Sequence, residues 1–273
     1  MTYKNNFRSQ LGENVFRFKY ANDENWTWRD NCVALVDDVC KGVLTNDECH
    51  EMVELIYNQK FFPGGRYLYY AGRKAKFYNN CYLFKSEEDS REDWADLCQK
   101  ATSALMTGGG IGNDYSVYRA SGAILGRTGG QASGPIPLMD IVNEIGRNVM
   151  QGGSRRSAIY ASLNWRHGDI DKFLTIKNWH DIVIPGTNST VADAKLANFD
   201  YKAPLDMTNI SVNYDNKFIE ELSKGLLPEV FITNVHQALK TAEPGFSFNF
   251  GAKENETGRN ACTEVTSSDD SDV

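Results

Sequence analysis

The sequence predicts an α/β protein: a parallel sheet or barrel with helices on its outside. Two observations carry this. Strand-like and helix-like segments alternate from about residue 63 onward, and alternation of this kind favours parallel strands joined by crossover helices. No internal repeat or low-complexity stretch breaks that alternation before the polar tail, Thr266 to Asp272. A chain of 273 residues is long enough to bury a large core in one or two domains.

Residues 1 to about 22 show no clear period. Trp28, Cys32, Leu35, Val36 and Val39 then recur at helical spacing, and Gly42 follows as a stop. Thr45 with Glu48 three residues on is a capping box, and it opens a helix with Cys49, Met52, Val53, Ile56 and Tyr57 on one face. Residues 1–60 therefore read as a small helical region. Pro63-Gly64-Gly65 breaks the chain, and Tyr67 to Ala71 reads as an aromatic-rich extended run.

Cys81 to Phe84 reads as a short buried strand. Ser90 is placed to cap a helix bearing Trp94, Leu97, Cys98, Ala101 and Leu105, and Gly108 to Gly112 ends it. A helix is expected from about Pro137 to Met150, a strand over Ser157 to Leu163 and a helix over Asp169 to Lys177. A strand over Thr208 to Tyr214, two helices and a last strand over Phe246 to Phe250 complete the pattern. Residues 61–259 form the α/β body, and 260–273 begin a further loop.

The formal net charge of −7 leaves no basic excess to neutralise phosphates, so nucleic acid is not expected as a direct partner. No apolar run is long enough to span a membrane, and Met1 to Gln10 lacks the apolar core of a signal peptide, so a cytoplasmic location is expected. The six cysteines are scattered without a C-x-x-C pair, which in a reducing compartment means thiols. Cys32, Cys40 and Cys49-His50 do not match zinc-finger spacing, and no metal ligand set is expected. Cys32 and Cys49 fall on apolar helix faces and read as small buried hydrophobes.

Gly108 to Gly112 could cradle a phosphate through backbone N–H groups. It lacks the Gly-Lys-Ser/Thr of a P-loop and the third glycine of a dinucleotide fingerprint, so it reads as helix termination and a tight turn. Gln151-Gly152-Gly153-Ser154-Arg155-Arg156 joins mobility to two guanidinium forks and reads as a ligand loop. Arg119 and Arg127 add cationic groups around a second glycine-rich segment. Near the carboxyl end, Asn260, Cys262 and Glu264 stand at alternate positions, which in an extended segment project to one side. A carboxylate beside a thiol disfavours the thiolate. The pattern suits a sulfur used as a hydrogen-atom carrier next to a proton acceptor. It also fits a surface loop with a chance cysteine.

Taken in order, these motifs resemble the catalytic subunit of ribonucleotide reductase from about residue 60 onward. They are Gly65-Arg66 with Gly72, Asn79-Asn80-Cys81, Gly108 to Gly112, Arg119 with Gly122, Gln151 to Ala158, His167 to Ile170 with Lys177, Asn209 to Val212, and Asn260 to Glu264. The resemblance implies the first half of a ten-stranded α/β barrel with a finger loop carrying a cysteine to its centre. It implies that Cys262 is the thiyl-radical cysteine, Glu264 the base on the ribose 3′ hydroxyl, Asn260 the group holding that hydroxyl, and Cys81 one half of the reducing dithiol. Asn80 and Gly110 would line the ribonucleotide substrate. Gln151 and Arg155 would also bind substrate, from the loop that tells the substrate pocket which deoxynucleotide effector is bound, and Asp89, Ser90, Arg119 and Arg127 fall near effector-contacting positions.

The family's second reducing cysteine lies about a dozen residues beyond its radical cysteine, where this sequence has reached Val273. The expectation is therefore a piece of a split enzyme, inactive without a C-terminal half on a second chain, with a split-intein junction as one route. The N-terminus is too short for an ATP cone, and no large insertion separates Arg119 from Gln151, so a homodimeric effector site is expected. The radical source is either adenosylcobalamin or a metal-containing partner subunit, and thioredoxin or glutaredoxin would supply electrons. The alternative is a non-catalytic half-barrel that binds deoxynucleotide. An α/β hydrolase ranks last, for want of a Gly-x-Ser-x-Gly turn.

Overall fold

The computed structural model describes residues 6–126, 129–149 and 158–267, and the chain divides into two compact units, 1–80 and 81–273. This division falls later than the change of texture near Pro63.

The first unit is helical. Helix α1 (Gln10–Lys19) is capped by Ser9, whose hydroxyl accepts from Gly12 N, and it buries only Phe16. Leu11 and Phe18 face solvent, 72% and 88% exposed, which is why no single apolar face is readable in the sequence. Helices α2 (Trp28–Cys40) and α3 (Asn46–Tyr57) both start in capping boxes, Thr27 with Asp30 and Thr45 with Glu48. Trp28, Cys32, Leu35, Val36, Val53 and Ile56 form their shared core. The run read as extended is instead a short helix, α4 (Gly65–Tyr70). Tyrosine's strand preference is overridden by packing: Leu68 is buried, and its carbonyl accepts from Asn31 Nδ2 at 3.2 Å. Gly72 follows at φ +69, with Trp26 where a Cβ would stand.

Among the described residues the second unit is built on a five-stranded, fully parallel sheet in sequential order. Its strands are β1 (Cys81–Lys85), β2 (Gly110–Asp114), β3 (Ile159–Asn164), β4 (Thr208–Tyr214) and β5 (Gly245–Phe248). Helix α5 (Arg91–Met106), capped by Ser90 as predicted, joins β1 to β2, and α6 (Ile136–Asn148) joins β2 to β3. Helices α7 (Ile170–Thr175) and α8 (Val191–Ala197) lie between β3 and β4. Helices α9 (Asn216–Ser223) and α10 (Glu229–Thr241) lie between β4 and β5.

The two sheet faces differ sharply. Ile111, Ile159, Ala161, Leu163, Ile210, Val212 and Tyr214 pack against Leu97, Leu105, Leu138, Val142, Phe173 and Phe218 in one core. The alternate positions carry Asp114, Ser162, Asn164, Ser211, Asn213 and Ser247. That second face is polar yet largely enclosed, with Ser162, Asn213 and Ser247 all buried.

Strand β2 departs from the sequence reading, which took Gly108 to Gly112 as a turn. Only the start fits: Gly108 is at φ +84 and closes α5. From Gly110 the chain is a central strand, although Gly-Ile-Gly-Asn-Asp has poor strand propensity.

A two-residue pairing closes the described chain. Strand β6 (Gly258–Arg259) is antiparallel to β7 (Thr266–Ser267), forming a hairpin whose tip is 260–265.

Candidate active site

The glycines of β2 explain where the hairpin goes. A Cβ on Gly112 would stand 1.8 Å from the carbonyl oxygen of Arg259, and one on Gly110 would stand 2.6 Å from Cβ of Ala261. Gly258 returns the favour on β1, with Leu83 Cδ2 3.0 Å from a would-be Cβ. The hairpin therefore lies directly on the polar sheet face, at a distance only glycine allows. Arg259 fixes its lateral position: Nε donates to Ser247 Oγ at 2.6 Å and Nη2 to Asn249 Oδ1 at 3.0 Å.

The tip is a turn, not the extended segment expected from alternation. Thr263 N donates to Asn260 O at 3.0 Å, and Thr263 sits at φ +68. The Asn260 side chain is buried, and its Oδ1 accepts from Val265 N at 3.1 Å. Alternate projection fails here because the chain must reverse within six residues. Convergence is achieved by the turn itself.

Cys262 and Glu264 project from this tip, both exposed, toward Cys81 at the start of β1. The sulfurs of Cys81 and Cys262 and a carboxylate oxygen of Glu264 all lie within 4.8 Å of one another. Register puts Gly110 opposite Cys81, so the glycine that admits Ala261 also seats the tip beside the thiol. Asn80, exposed, immediately precedes Cys81 and ends the first unit. Two thiols and a carboxylate at this separation can exchange a hydrogen atom, an electron pair or a proton with one small molecule held between them.

Sequence reasoning missed Gly112, Arg259 and Asp114. Gly-x-Gly on a strand was the available signal for a close backbone approach. Asp114 Oδ1 accepts from Ser116 Oγ at 2.6 Å and Ser162 Oγ at 3.2 Å. Burial pushes its carboxyl above the usual range, and hydrogen bonds from Ser116, Thr257 and Ser162 offset this only in part. It lines a cavity of about 410 Å³ at the base of the hairpin, with Leu83, Ser86, Asn164 and Thr257.

Of the candidate effector residues, Arg119 forms an ion pair with Asp89, and Ser90 accepts from Asp93 N as the cap of α5. The loop carrying them is braced by Asp93, which accepts from Glu87 N at 3.0 Å and from the Tyr118 hydroxyl. Arg127, Gln151 and Arg155 lie outside the described residues. Other motif positions are structural. Lys177 pairs with Glu243, whose Oε1 accepts from Ile210 N at 3.1 Å, so the pair holds the entry to β4.

These features define an α/β protein that gathers two thiols and a carboxylate on the polar face of a parallel sheet. The chain belongs to the ribonucleotide reductase family, whose barrel domain matches residues 79–249. It is 30% identical over 213 residues to a vitamin B12-dependent ribonucleoside-diphosphate reductase of Thermoplasma acidophilum, covering 76% of this chain and 26% of that protein. A protein of the same description from Mycobacterium tuberculosis is 29% identical over 160 residues, 59% of this chain and 23% of its own length. The ribonucleoside-diphosphate reductase large chain of Schizosaccharomyces pombe is 29% identical over 131 residues, 48% and 16% respectively. The chain thus spans about a quarter or less of the length of these curated relatives.

Proposed function

We propose that this chain provides the first half-barrel of a ribonucleotide reductase, which converts ribonucleotides to deoxyribonucleotides by thiyl-radical chemistry. The observation that carries this is the meeting of Cys81, Cys262 and Glu264 within 4.8 Å, across most of the sequence. Cys262 takes the 3′ hydrogen atom of the ribose, and Glu264 accepts the 3′ hydroxyl proton. Asn260 shapes the tip and faces that hydroxyl. Cys81 gives one of the two sulfurs whose oxidation to a disulfide removes the 2′ hydroxyl as water. Asn80 and Gly110 border the substrate.

The second reducing sulfur, and the strands that would complete a ten-stranded barrel, come from a C-terminal half. Among the described residues the sheet ends at β1 and β5, two edges such a half could continue. Adenosylcobalamin would supply the unpaired electron that makes Cys262 a hydrogen-atom acceptor. A metal-containing partner subunit could supply it instead. The cobalamin reading draws support from the names of the Thermoplasma and Mycobacterium relatives.

Asp89, Ser90, Arg119 and Arg127 are the proposed contacts to the deoxynucleotide effector, and Gln151 and Arg155, in the loop that reports which effector is bound, are proposed to bind substrate. Ile141 of α6, 46% exposed beside a groove bordered by Thr102 of α5, gives a second copy an apolar surface for a homodimer. Thioredoxin or glutaredoxin recharges the dithiol. Among the described residues no helix is long and apolar enough to cross a membrane, and the proposed setting is the cytoplasm.

The test is complementation. The chain is mixed with a C-terminal half, a radical source and reductant, and CDP reduction is measured. Turnover that disappears in Cys262→Ala supports the reading. Deoxynucleotide binding without turnover in the complemented wild type would favour the non-catalytic half-barrel.

A further inference from the structure

We propose that Cys81, Cys262 and Glu264 also form a binding site for a soft divalent cation of the zinc class. Among the described residues this is the one group of three cysteine, histidine or acidic side chains close enough to share an ion. Two sulfurs and one carboxylate oxygen are donors that zinc accepts readily. With Zn–S bonds of about 2.3 Å at a tetrahedral centre, two sulfurs stand about 3.8 Å apart. Here they lie within 4.8 Å, so closure requires shifts of about 1 Å.

The parts that must move are the ones that can. Cys262 and Glu264 are exposed on the hairpin tip, whereas Cys81 starts a paired strand. The tip itself is anchored by buried Ala261 against Gly110 and by Asn260 against Val265 N. Closure by side-chain rotation would leave that anchored backbone in place. Three protein donors leave the fourth position to water, an open site reachable from solvent.

The inference does not rest on the catalytic reading, but it bears on it. Binding deprotonates both thiols and occupies both sulfurs, so neither is available for hydrogen-atom or electron transfer while the cation is bound. Cation occupancy and thiol chemistry at this place exclude each other.

The probe is Co(II), added anaerobically to the reduced 273-residue chain. The expected result is a near-ultraviolet sulfur-to-cobalt band with the intensity of two thiolates. Cys262→Ser should lower it to one thiolate. Glu264→Gln should keep the band and weaken binding about tenfold or more. Cys98→Ser, in α5, should change nothing. Zn(II) should protect Cys81 and Cys262 from alkylation and leave Cys40 and Cys49 unprotected. A band that persists unchanged in Cys262→Ser, or protection found at Cys40 and Cys49 instead, overturns the site. So does the absence of any band at millimolar Co(II). These readouts are independent of turnover: CDP reduction lost in Cys262→Ala can stand while the cation site fails, and the reverse.

Discussion

The carbonyl oxygen of Arg259 occupies the space that a side chain on Gly112 would need, 1.8 Å from the position of its Cβ. No rotamer relieves this contact, because a Cβ is fixed by its own backbone and its partner is a backbone oxygen. Gly112→Ala must push the hairpin off β2 and draw Arg259 from Ser247 and Asn249. The expected cost is about 1–3 kcal/mol in urea unfolding. Displacement of the tip by about 1 Å would reduce complemented turnover about 100-fold. A Gly112→Ala chain with wild-type stability and turnover would mean that the hairpin does not lie there.

The cysteines should differ widely in reactivity. Burial pushes the Cys32 thiol up to about 12, and burial also raises Cys98. At pH 8 the Cys32 thiolate fraction is about one in ten thousand, and the thiolate is the reactive form. Cys262 stands at an exposed tip. Timed iodoacetamide labelling read by peptide mass spectrometry should find Cys262 modified early and Cys32 last. Early modification of Cys32 in the folded chain would contradict its place in the core.

Glu264 and Asn260 should fail in different ways. Glu264 is exposed, so Glu264→Gln should leave stability unchanged. In the complemented enzyme it should lower kcat about 10²–10⁴-fold, the usual contribution of a positioned base. Asn260 is buried and caps the turn through Val265 N. Asn260→Ala should therefore cost about 1 kcal/mol of stability as well as activity. Thermal melts beside steady-state kinetics separate the two. Equal stability losses would place Glu264 inside the fold rather than on the reacting face.

How much of this was legible depended on where the deciding contact lay. Capped amphipathic helices such as α3 and α5 were readable, because Thr45 with Glu48 and Ser90 act within one turn. Strand β4 was readable because Ile210 and Val212 alternate with polar residues. Strand β2 was hidden, since its glycines answer to a hairpin far along the chain rather than to local propensity. Helix α4 was hidden because burial of Leu68 overrules the strand preference of its tyrosines. At the site, residue types were readable in Asn260 to Glu264, but not the turn at Thr263 that gathers them. Asp114 gave no signal, because its enclosure is created by Ser116, Ser162 and Thr257 from three different segments.

Asp206 should make an acid-sensitive contact in the second unit. Its side chain is fully buried between Arg147 and Lys195, with Lys195 Nζ at 2.6 Å. Burial alone would raise its pKa. Hydrogen bonds from Lys195, Arg147 and Asn143 reverse this and hold the carboxyl below the usual range. A carboxyl depressed by folding contributes stability that is present above its unfolded pKa of about 3.9 and is lost as pH falls through the folded value. Asp206→Ala leaves two cations without their shared partner and should cost about 3–5 kcal/mol at pH 7. The gap between wild type and Asp206→Ala, measured by urea melts, should stay constant from pH 7 to about 5 and shrink in stronger acid. If it widened with falling pH, the carboxyl would be protonated more readily in the fold than outside it, and the cations would not be its counter-charges.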